Sequence, residues 1–121
     1  MRLNFYEDPG HGWLAVPLPL LDELGILDQI SRYSYMRGRF AHLEEDCDYF
    51  RFTTAMHAAG LSFTVREHHT DKRSKIRGYC QFNAAVARRW MEEAKTAASL
   101  GAAAGASPSW TRDHLLVVHV R

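Results

Sequence analysis

Short apolar stretches separated by turn residues predict several strands in the first half of the chain. Residues 3–6 and 13–16 have this character, and residues 7–12 between them contain the acids, proline and glycines typical of a tight loop. Residues 30–36 and 39–43 are apolar and aromatic around an Arg-Gly pair, which predicts a hairpin. The N-terminal part is therefore expected to be mainly β-structure.

Two further segments have strand character, and one segment has no clear pattern. Residues 61–65 alternate apolar and polar positions, as a half-buried strand does. Residues 115–120 are rich in β-branched side chains and predict a last strand. Residues 66–82 are polar and basic, and their pattern predicts neither a helix nor a strand.

Residues 20–24 predict a short helix that ends at Gly25, because glycine adopts the left-handed conformation common after a helix. Residues 20–39 also resemble a helix-turn-helix motif in part. Pro17 and Pro19 exclude a regular helix upstream, where that motif needs its first helix. We therefore expect a short helix followed by a hairpin.

Apolar residues at helical spacing predict two main helices. The first is expected to begin at Asp46, as its N-cap, and to end at Gly60. The second is expected to begin after the N-cap Asn83 and to run through Leu100, with Gly101 closing it. One face of each helix is apolar, formed by Tyr49, Phe52, Met56 and Ala59 in the first and by Val86, Trp90, Ala94 and Ala97 in the second.

These elements predict an α+β fold, with a small, mostly antiparallel sheet and two main helices packed on it. A chain of 121 residues suits one domain, residues 1–121. Within it, the small residues of 102–109 predict a flexible linker before the last strand.

Composition predicts a cytoplasmic globular protein that does not bind membranes. Charged residues make up 24% of the chain and hydrophobic residues 46%, and the formal net charge is only +1. Electrostatic attraction to a partner must therefore come from local patches of charged residues. The longest apolar run, residues 13–21, is interrupted by two prolines and is too short to span a bilayer. Cys47 and Cys80 lie far apart and are expected to be free thiols.

The sequence contains no recognised catalytic motif, so we expect a protein that is not an enzyme. The candidate for chemistry is His11, a loop histidine near Asp8 that could act as a general base. The alternative is that His11 is a loop residue whose ring covers Trp13. The histidines and cysteines lack the paired spacing of zinc ligands, and we expect no metal and no cofactor.

An acidic cluster followed by a helix offers the best candidate for a protein-binding surface. Its ordinary role would be to stabilise the N-terminus of that helix. Its other role would be to imitate nucleic-acid phosphates or to dock on a groove rich in arginine and lysine. Two tyrosines expected on one strand face would add aromatic contact area. The predicted partner-binding residues are Glu44, Glu45, Asp46, Asp48, Tyr33 and Tyr35.

The alternative prediction is nucleic-acid binding through the basic segment that follows residue 65. Arg73, Lys75 and Arg77 would contact phosphates, with aromatic and histidine side chains interleaved between the basic residues. Glu67 and Asp71 reduce the positive potential of this segment. The protein would then be an accessory or regulatory factor rather than an inhibitor.

Four short motifs resemble a group of small uncharacterised proteins carried by bacteriophages and plasmids. They are DPGHGWL at 8–14, LGI at 24–26, ISRYSY at 30–35 and LEED at 43–46, and the resemblance spans about residues 1–77. It implies a protein of a mobile genetic element. Small proteins of such elements without catalytic motifs resemble stoichiometric inhibitors of bacterial defence complexes, such as anti-CRISPR proteins.

Overall fold

A six-stranded sheet forms the centre of the computed structural model, which describes residues 1–103. The strands follow the order β5-β1-β2-β4-β3-β6, and every neighbouring pair is antiparallel except β1 and β5, which are parallel. The strands are β1 (Arg2–Glu7), β2 (Gly12–Pro17), β3 (Tyr35–Arg37), β4 (Phe40–Glu44), β5 (Thr64–His69) and β6 (Cys80–Gln81).

In the part of the chain that the structure describes, three α-helices accompany the sheet, together with short 3₁₀ turns at Leu27–Gln29 and Lys75–Gly78. The helices are α1 (Leu18–Glu23), α2 (Asp48–Ala58) and α3 (Ala84–Ala103). The predicted α+β fold, with two substantial helices on a mostly antiparallel sheet, is confirmed. Within residues 1–103, no helix combines the length and the apolar character that a bilayer crossing requires.

The main hydrophobic core lies between one face of the sheet and the helices. Alternate residues of each strand point to the same face, so Leu14 and Val16 of β2 lie beside Ala41 and Leu43 of β4. The helices cover these strand residues with fully buried side chains, among them Leu20, Leu21, Phe52, Met56 and Ala87.

Residues 70–79, which we call the crossing segment, cover part of the opposite face of the sheet. They connect β5 and β6, which lie at the two edges, so the chain must pass over the strands between them. Ile76 is buried in this segment, and the Tyr79 ring lies 5.2 Å from the ring of His42. All six residues of β2 are buried as a result. Residues 66–82, left unassigned by the sequence pattern, thus contain most of β5, the crossing segment and β6.

Local signals predicted the turn of the second hairpin and the end of the first helix, although α1 begins at Leu18 rather than residue 20. Gly25, Gly38 and Gly60 have φ values of 72°, 60° and 71°, as expected for residues that follow a helix or turn a hairpin. A 3₁₀ turn and a bend follow α1 in place of a recognition helix, so the expected helix followed by a hairpin is confirmed.

Two strand boundaries and one helix cap were predicted wrongly. β3 begins only at Tyr35, because residues 31–34 form a turn bound to α2. β5 begins at Thr64 rather than residue 61, because the Leu61 backbone N–H still bonds to the Met56 carbonyl at the end of α2. Asp46 is not an N-cap: Cys47 occupies that position without a side-chain cap, and Asp48 is the first residue of α2.

The second main helix begins as predicted and extends further than predicted. The Asn83 side-chain oxygen accepts a hydrogen bond from the Val86 backbone N–H at 3.0 Å, which is the expected cap. Helix α3 continues past Gly101 to Ala103, and Ala97 is exposed rather than on the packed face. The remainder of the predicted linker and the strand expected at residues 115–120 lie outside the described residues.

Candidate functional site

A pocket of about 290 Å³ opens beside the ends of β2, β3 and β4. We call it the Tyr33 pocket. Its size is close to the lower limit of typical ligand pockets, roughly 300 Å³. Aromatic, acidic and basic side chains line it together, among them Trp13, Tyr33, Tyr35, Glu44, Asp46 and Arg77.

The pairing of β2 with β4 brings two distant loops together at this pocket. Trp13 lies opposite Glu44 in the ladder, and the Glu45 backbone N–H donates to the Gly12 carbonyl at 3.0 Å. The loop before β2 therefore lies against the loop after β4. As a result, the His11 Nδ1 lies 3.2 Å from Oε1 of Glu44.

Three of the predicted acidic residues gather at the edge of the pocket. Glu44 is 6% exposed, and its Oε2 accepts a hydrogen bond from the Asp46 backbone N–H at 2.8 Å. Glu45 and Asp46 are exposed. Partial desolvation raises the pKa of the Glu45 carboxyl, and the neighbouring carboxylates of Asp46 and Glu44 raise it further, while His11 acts in the opposite direction. The carboxylates therefore repel one another, and a positive charge beside them reduces this repulsion.

His11 completes a group of side chains able to bind a cation. One ligand atom from each of His11, Glu44, Glu45 and Asp46 lies within 4.8 Å of the others. One imidazole nitrogen with three carboxylate oxygens is a set that Mn²⁺ or Zn²⁺ can accept. The sequence did not indicate this group, because His11 and Glu44 are 33 residues apart and become neighbours only through strand pairing.

Asp48 does not lie on the predicted binding face, because its side chain is fully buried. Its Oδ2 accepts hydrogen bonds from the Ser31 hydroxyl at 2.7 Å and the Ser34 hydroxyl at 2.5 Å. Both of its oxygens also lie 3.1 Å from the Ser31 backbone nitrogen. Asp48 thus fastens the start of α2 to the turn that carries Tyr33.

The two tyrosines reach the pocket from different backbone settings. Tyr33 is 61% exposed and lies in the turn formed by residues 31–34, not on a strand as predicted. Tyr35 lies on β3 and is half-buried, with its ring 6.3 Å from the Trp13 ring. Both line the pocket together with Glu44 and Asp46. The structure therefore brings together five of the six predicted partner-binding residues.

Arg77, one of the three residues predicted to bind nucleic acid, is instead paired with a buried carboxylate. Its Nε and Nη2 donate to the two Asp8 carboxylate oxygens at 2.7 and 2.9 Å, and the Asp8 side chain is 1% exposed. The Arg77 guanidinium also lies 5.2 Å from the Trp13 ring centroid. Arg77 therefore holds the crossing segment on the sheet, while Arg73 and Lys75 remain exposed.

Asp8 organises the loop before β2 as well as the crossing segment. Its carboxylate accepts hydrogen bonds from the backbone N–H groups of Gly10, His11 and Ser74, each at 3.0 Å. The Arg77 guanidinium, followed by these backbone donors, holds the pKa of Asp8 far below its usual range. Asp8 therefore contacts the His11 backbone, not the imidazole, whose ring centroid lies 6.1 Å from that of Trp13.

Two buried nitrogens near the site lack hydrogen-bond partners among the described residues. They are Nε1 of Trp13 and Nδ1 of His42. Burial lowers the pKa of His42 to about 4, and the charge of Arg37 contributes in the same direction. His42 is therefore neutral at physiological pH. The sequence did not single out this histidine, since nothing local distinguishes it from a surface residue.

Both cysteines are free, as predicted. Cys47 lines the Tyr33 pocket. Burial raises the pKa of its thiol, and the Glu44 carboxylate raises it further. The thiol is therefore protonated at neutral pH and is a weak nucleophile.

Comparisons with known proteins add no relative. No protein-family model, curated protein or solved structure matches the chain.

Proposed function

We propose that this protein is a non-enzymatic binding protein whose Tyr33 pocket and acidic edge attach to a basic surface of a partner protein. The observation that carries the proposal is the group of Glu44, Glu45 and Asp46 beside the exposed Tyr33 and the half-buried Tyr35. Carboxylates attract the partner and orient it, and tyrosine rings supply contact area with little loss of side-chain entropy.

The charge distribution supports a basic partner. The Asp8 carboxylate compensates the positive charge of Arg77. Arg32 also lines the pocket, but its guanidinium lies 6.0 Å from the centroid of the Tyr33 ring. Within residues 1–100, no lysine or arginine nitrogen lies within 4.0 Å of a carboxylate oxygen of Glu45 or Asp46. A partner cation would therefore meet carboxylates that are still available.

The resemblance to phage and plasmid proteins suggests the kind of partner. We propose a cytoplasmic role as a stoichiometric inhibitor of a bacterial defence complex, of the anti-CRISPR kind. Such complexes bind nucleic acid in positively charged channels. An acidic, aromatic surface could cover a channel of this type by charge complementarity.

Charge reversal tests this function. The double variant Glu45→Lys/Asp46→Lys is compared with the wild type in pulldowns from the native host, with and without nuclease, and then with the purified captured protein. We expect the dissociation constant to rise about tenfold or more, because like charges now face each other across the interface. Glu93→Lys on the exposed side of α3 is the control and should bind as the wild type does.

The melting temperature of each variant separates loss of contact from loss of folding. The proposal requires the double variant to melt close to the wild type while binding weakly. If it binds the partner as tightly as the control, the acidic edge is not the interface.

The geometry gives less support to nucleic-acid binding. Of Arg73, Lys75 and Arg77, only the first two are free to reach phosphates, since Arg77 is paired with Asp8. A protein that contacts duplex DNA through basic residues shows a log–log salt slope of about −0.9 per phosphate. A steep slope that disappears in Arg73→Gln/Lys75→Gln would favour this alternative over the proposed function.

A further inference from the structure

The Tyr33 pocket combines the groups that recognise a guanidinium ion. Carboxylates of Glu44 and Asp46 line it, and the rings of Tyr33 and Tyr35 line it as well. The chain's own Arg32 also lines it, with its guanidinium 6.0 Å from the centroid of the Tyr33 ring. A guanidinium is planar, donates pairs of hydrogen bonds to carboxylates and stacks on aromatic rings. The ammonium ion of lysine is a compact charge, so it neither forms the paired hydrogen bonds nor stacks on a ring as a planar guanidinium does.

One arginine of the same chain is already bound in this way, and a second contacts a ring alone. Arg77 donates two hydrogen bonds to Asp8 while its guanidinium lies over Trp13, in a cluster that borders the Tyr33 pocket. The Arg37 guanidinium lies 5.0 Å from the Tyr79 ring centroid. Carboxylate and ring together therefore hold an arginine within a few ångströms of the pocket.

The volume of the pocket suits one long side chain. A cavity of about 290 Å³ accommodates a single amino-acid side chain, not a folded segment. Glu45 lies next to Asp46 at the edge of the pocket and adds a third carboxylate close to where a bound cation would enter.

We propose that the Tyr33 pocket takes one arginine side chain of the partner protein, with its guanidinium on the carboxylates of Glu44, Glu45 and Asp46 and against the rings of Tyr33 and Tyr35. The inference rests on the proposed function, since it names the group by which the basic partner is anchored. It also excludes a lysine as an equivalent anchor.

Peptide titration of the full chain tests the arginine anchor. The probe is acetyl-Gly-Arg-Gly-amide, and the matched probes carry lysine or citrulline, which has the shape of arginine without its charge. Binding is followed by the NMR shifts of the Trp13 indole N–H and the Asp46 backbone N–H. We expect saturable shifts with the arginine peptide, weaker binding of the lysine peptide, and binding of the citrulline peptide weaker by about tenfold or more.

Variants locate the binding site. Tyr33→Ala and Asp46→Asn should each weaken binding of the arginine peptide, whereas Glu93→Gln should not. Equal affinity for arginine and citrulline peptides, or equal affinity for arginine and lysine peptides, would overturn the inference.

The carboxylates and His11 could instead serve a metal ion, and a second titration decides between the two. If Mn²⁺ or Zn²⁺ alone binds with micromolar affinity and shifts His11, while the arginine peptide gives no saturable shifts without metal, the pocket is a metal site and the arginine inference is wrong. Saturable peptide binding that an excess of either metal weakens supports the arginine anchor, because both ligands would use the carboxylates of Glu44, Glu45 and Asp46.

Failure of this inference and failure of the proposed function give different results. If the arginine peptide does not bind but Glu45→Lys/Asp46→Lys still abolishes capture of the partner, the surface docks without an arginine anchor. If the peptide binds and partner capture survives that double variant, the pocket binds arginine but the proposed interface is wrong.

Discussion

Replacing Arg77 with methionine tests whether a single buried ion pair holds the crossing segment on the sheet. The change keeps an unbranched apolar stem in place of the arginine stem and removes two hydrogen bonds to Asp8, at 2.7 and 2.9 Å. The Asp8 side chain is 1% exposed, so its carboxylate would remain buried without a counter-charge. Breaking such a pair from one side costs about 3–5 kcal/mol.

The cost is large compared with the total stability of a domain, roughly 5–15 kcal/mol. For a domain of about 100 residues, 1 kcal/mol corresponds to a shift in Tm of about 4–8 °C. Arg77→Met should therefore lower the Tm by more than about 12 °C. Urea denaturation at pH 7, followed by circular dichroism, measures the free energy directly.

A double-mutant cycle isolates the interaction between Asp8 and Arg77. The pair Asp8→Asn/Arg77→Met should lose less stability than the sum of the two single variants, because no buried charge is left unpaired. The nearby exposed Arg73→Met is the control and should stay within about 0.5 kcal/mol of the wild type. If Arg77→Met costs less than about 1 kcal/mol, packing of Ile76 rather than the ion pair holds the segment.

Three other substitutions probe the fold around the site. Asp48→Ala should lower the free energy of unfolding in urea by about 3 kcal/mol, because it leaves two serine hydroxyls and a backbone N–H without an acceptor. A change near zero would mean that these hydrogen bonds are not formed. The pKa of His42 is about 4 in the folded chain and 6.5, its ordinary value, in the unfolded chain. Between these pH values the unfolded state binds a proton that the folded state does not, so the free energy of unfolding should fall by roughly 3 kcal/mol as the pH decreases. In His42→Phe, the free energy of unfolding should no longer fall with pH in this range. If it falls as steeply as in the wild type, other groups cause the pH dependence. Gly12→Ala should cost about 1–3 kcal/mol, because its Cβ would overlap the Phe5 ring, whereas Gly78→Ala meets no atom within 4 Å and should cost little in the same assay.

The sequence predicted the elements that depend on neighbouring residues. The Asn83 cap and the helix ends at Gly25 and Gly60 are each determined by a few consecutive residues. Short apolar stretches bounded by turn residues likewise predicted β1 and β2 to within one residue at each end.

Contacts between distant residues explain what the sequence could not show. Asp8 and Arg77 are 69 positions apart, so the basic segment looked like an exposed surface rather than a buried ion pair. Asp48 looked like part of an acidic face, yet its partners Ser31 and Ser34 turn it inward from 17 and 14 residues away. Charge patterns alone do not distinguish solvated acids from buried ones, because burial depends on which donors the fold supplies.

The position of β5 at one edge of the sheet affects how two copies of the chain can meet. Among the described strands, β5 pairs only with β1, so within residues 1–103 no strand pairs with its outer edge. Two identical strands that join antiparallel about a twofold axis place their central residue opposite itself. The two registers that pair the most residues of β5 are centred on Arg66 and on Glu67. The first places Arg66 of one copy opposite Arg66 of the other, and the second does the same with Glu67. Like charges facing each other destabilise such a pair, and this edge therefore discourages the growth of the sheet into homodimers or fibrils.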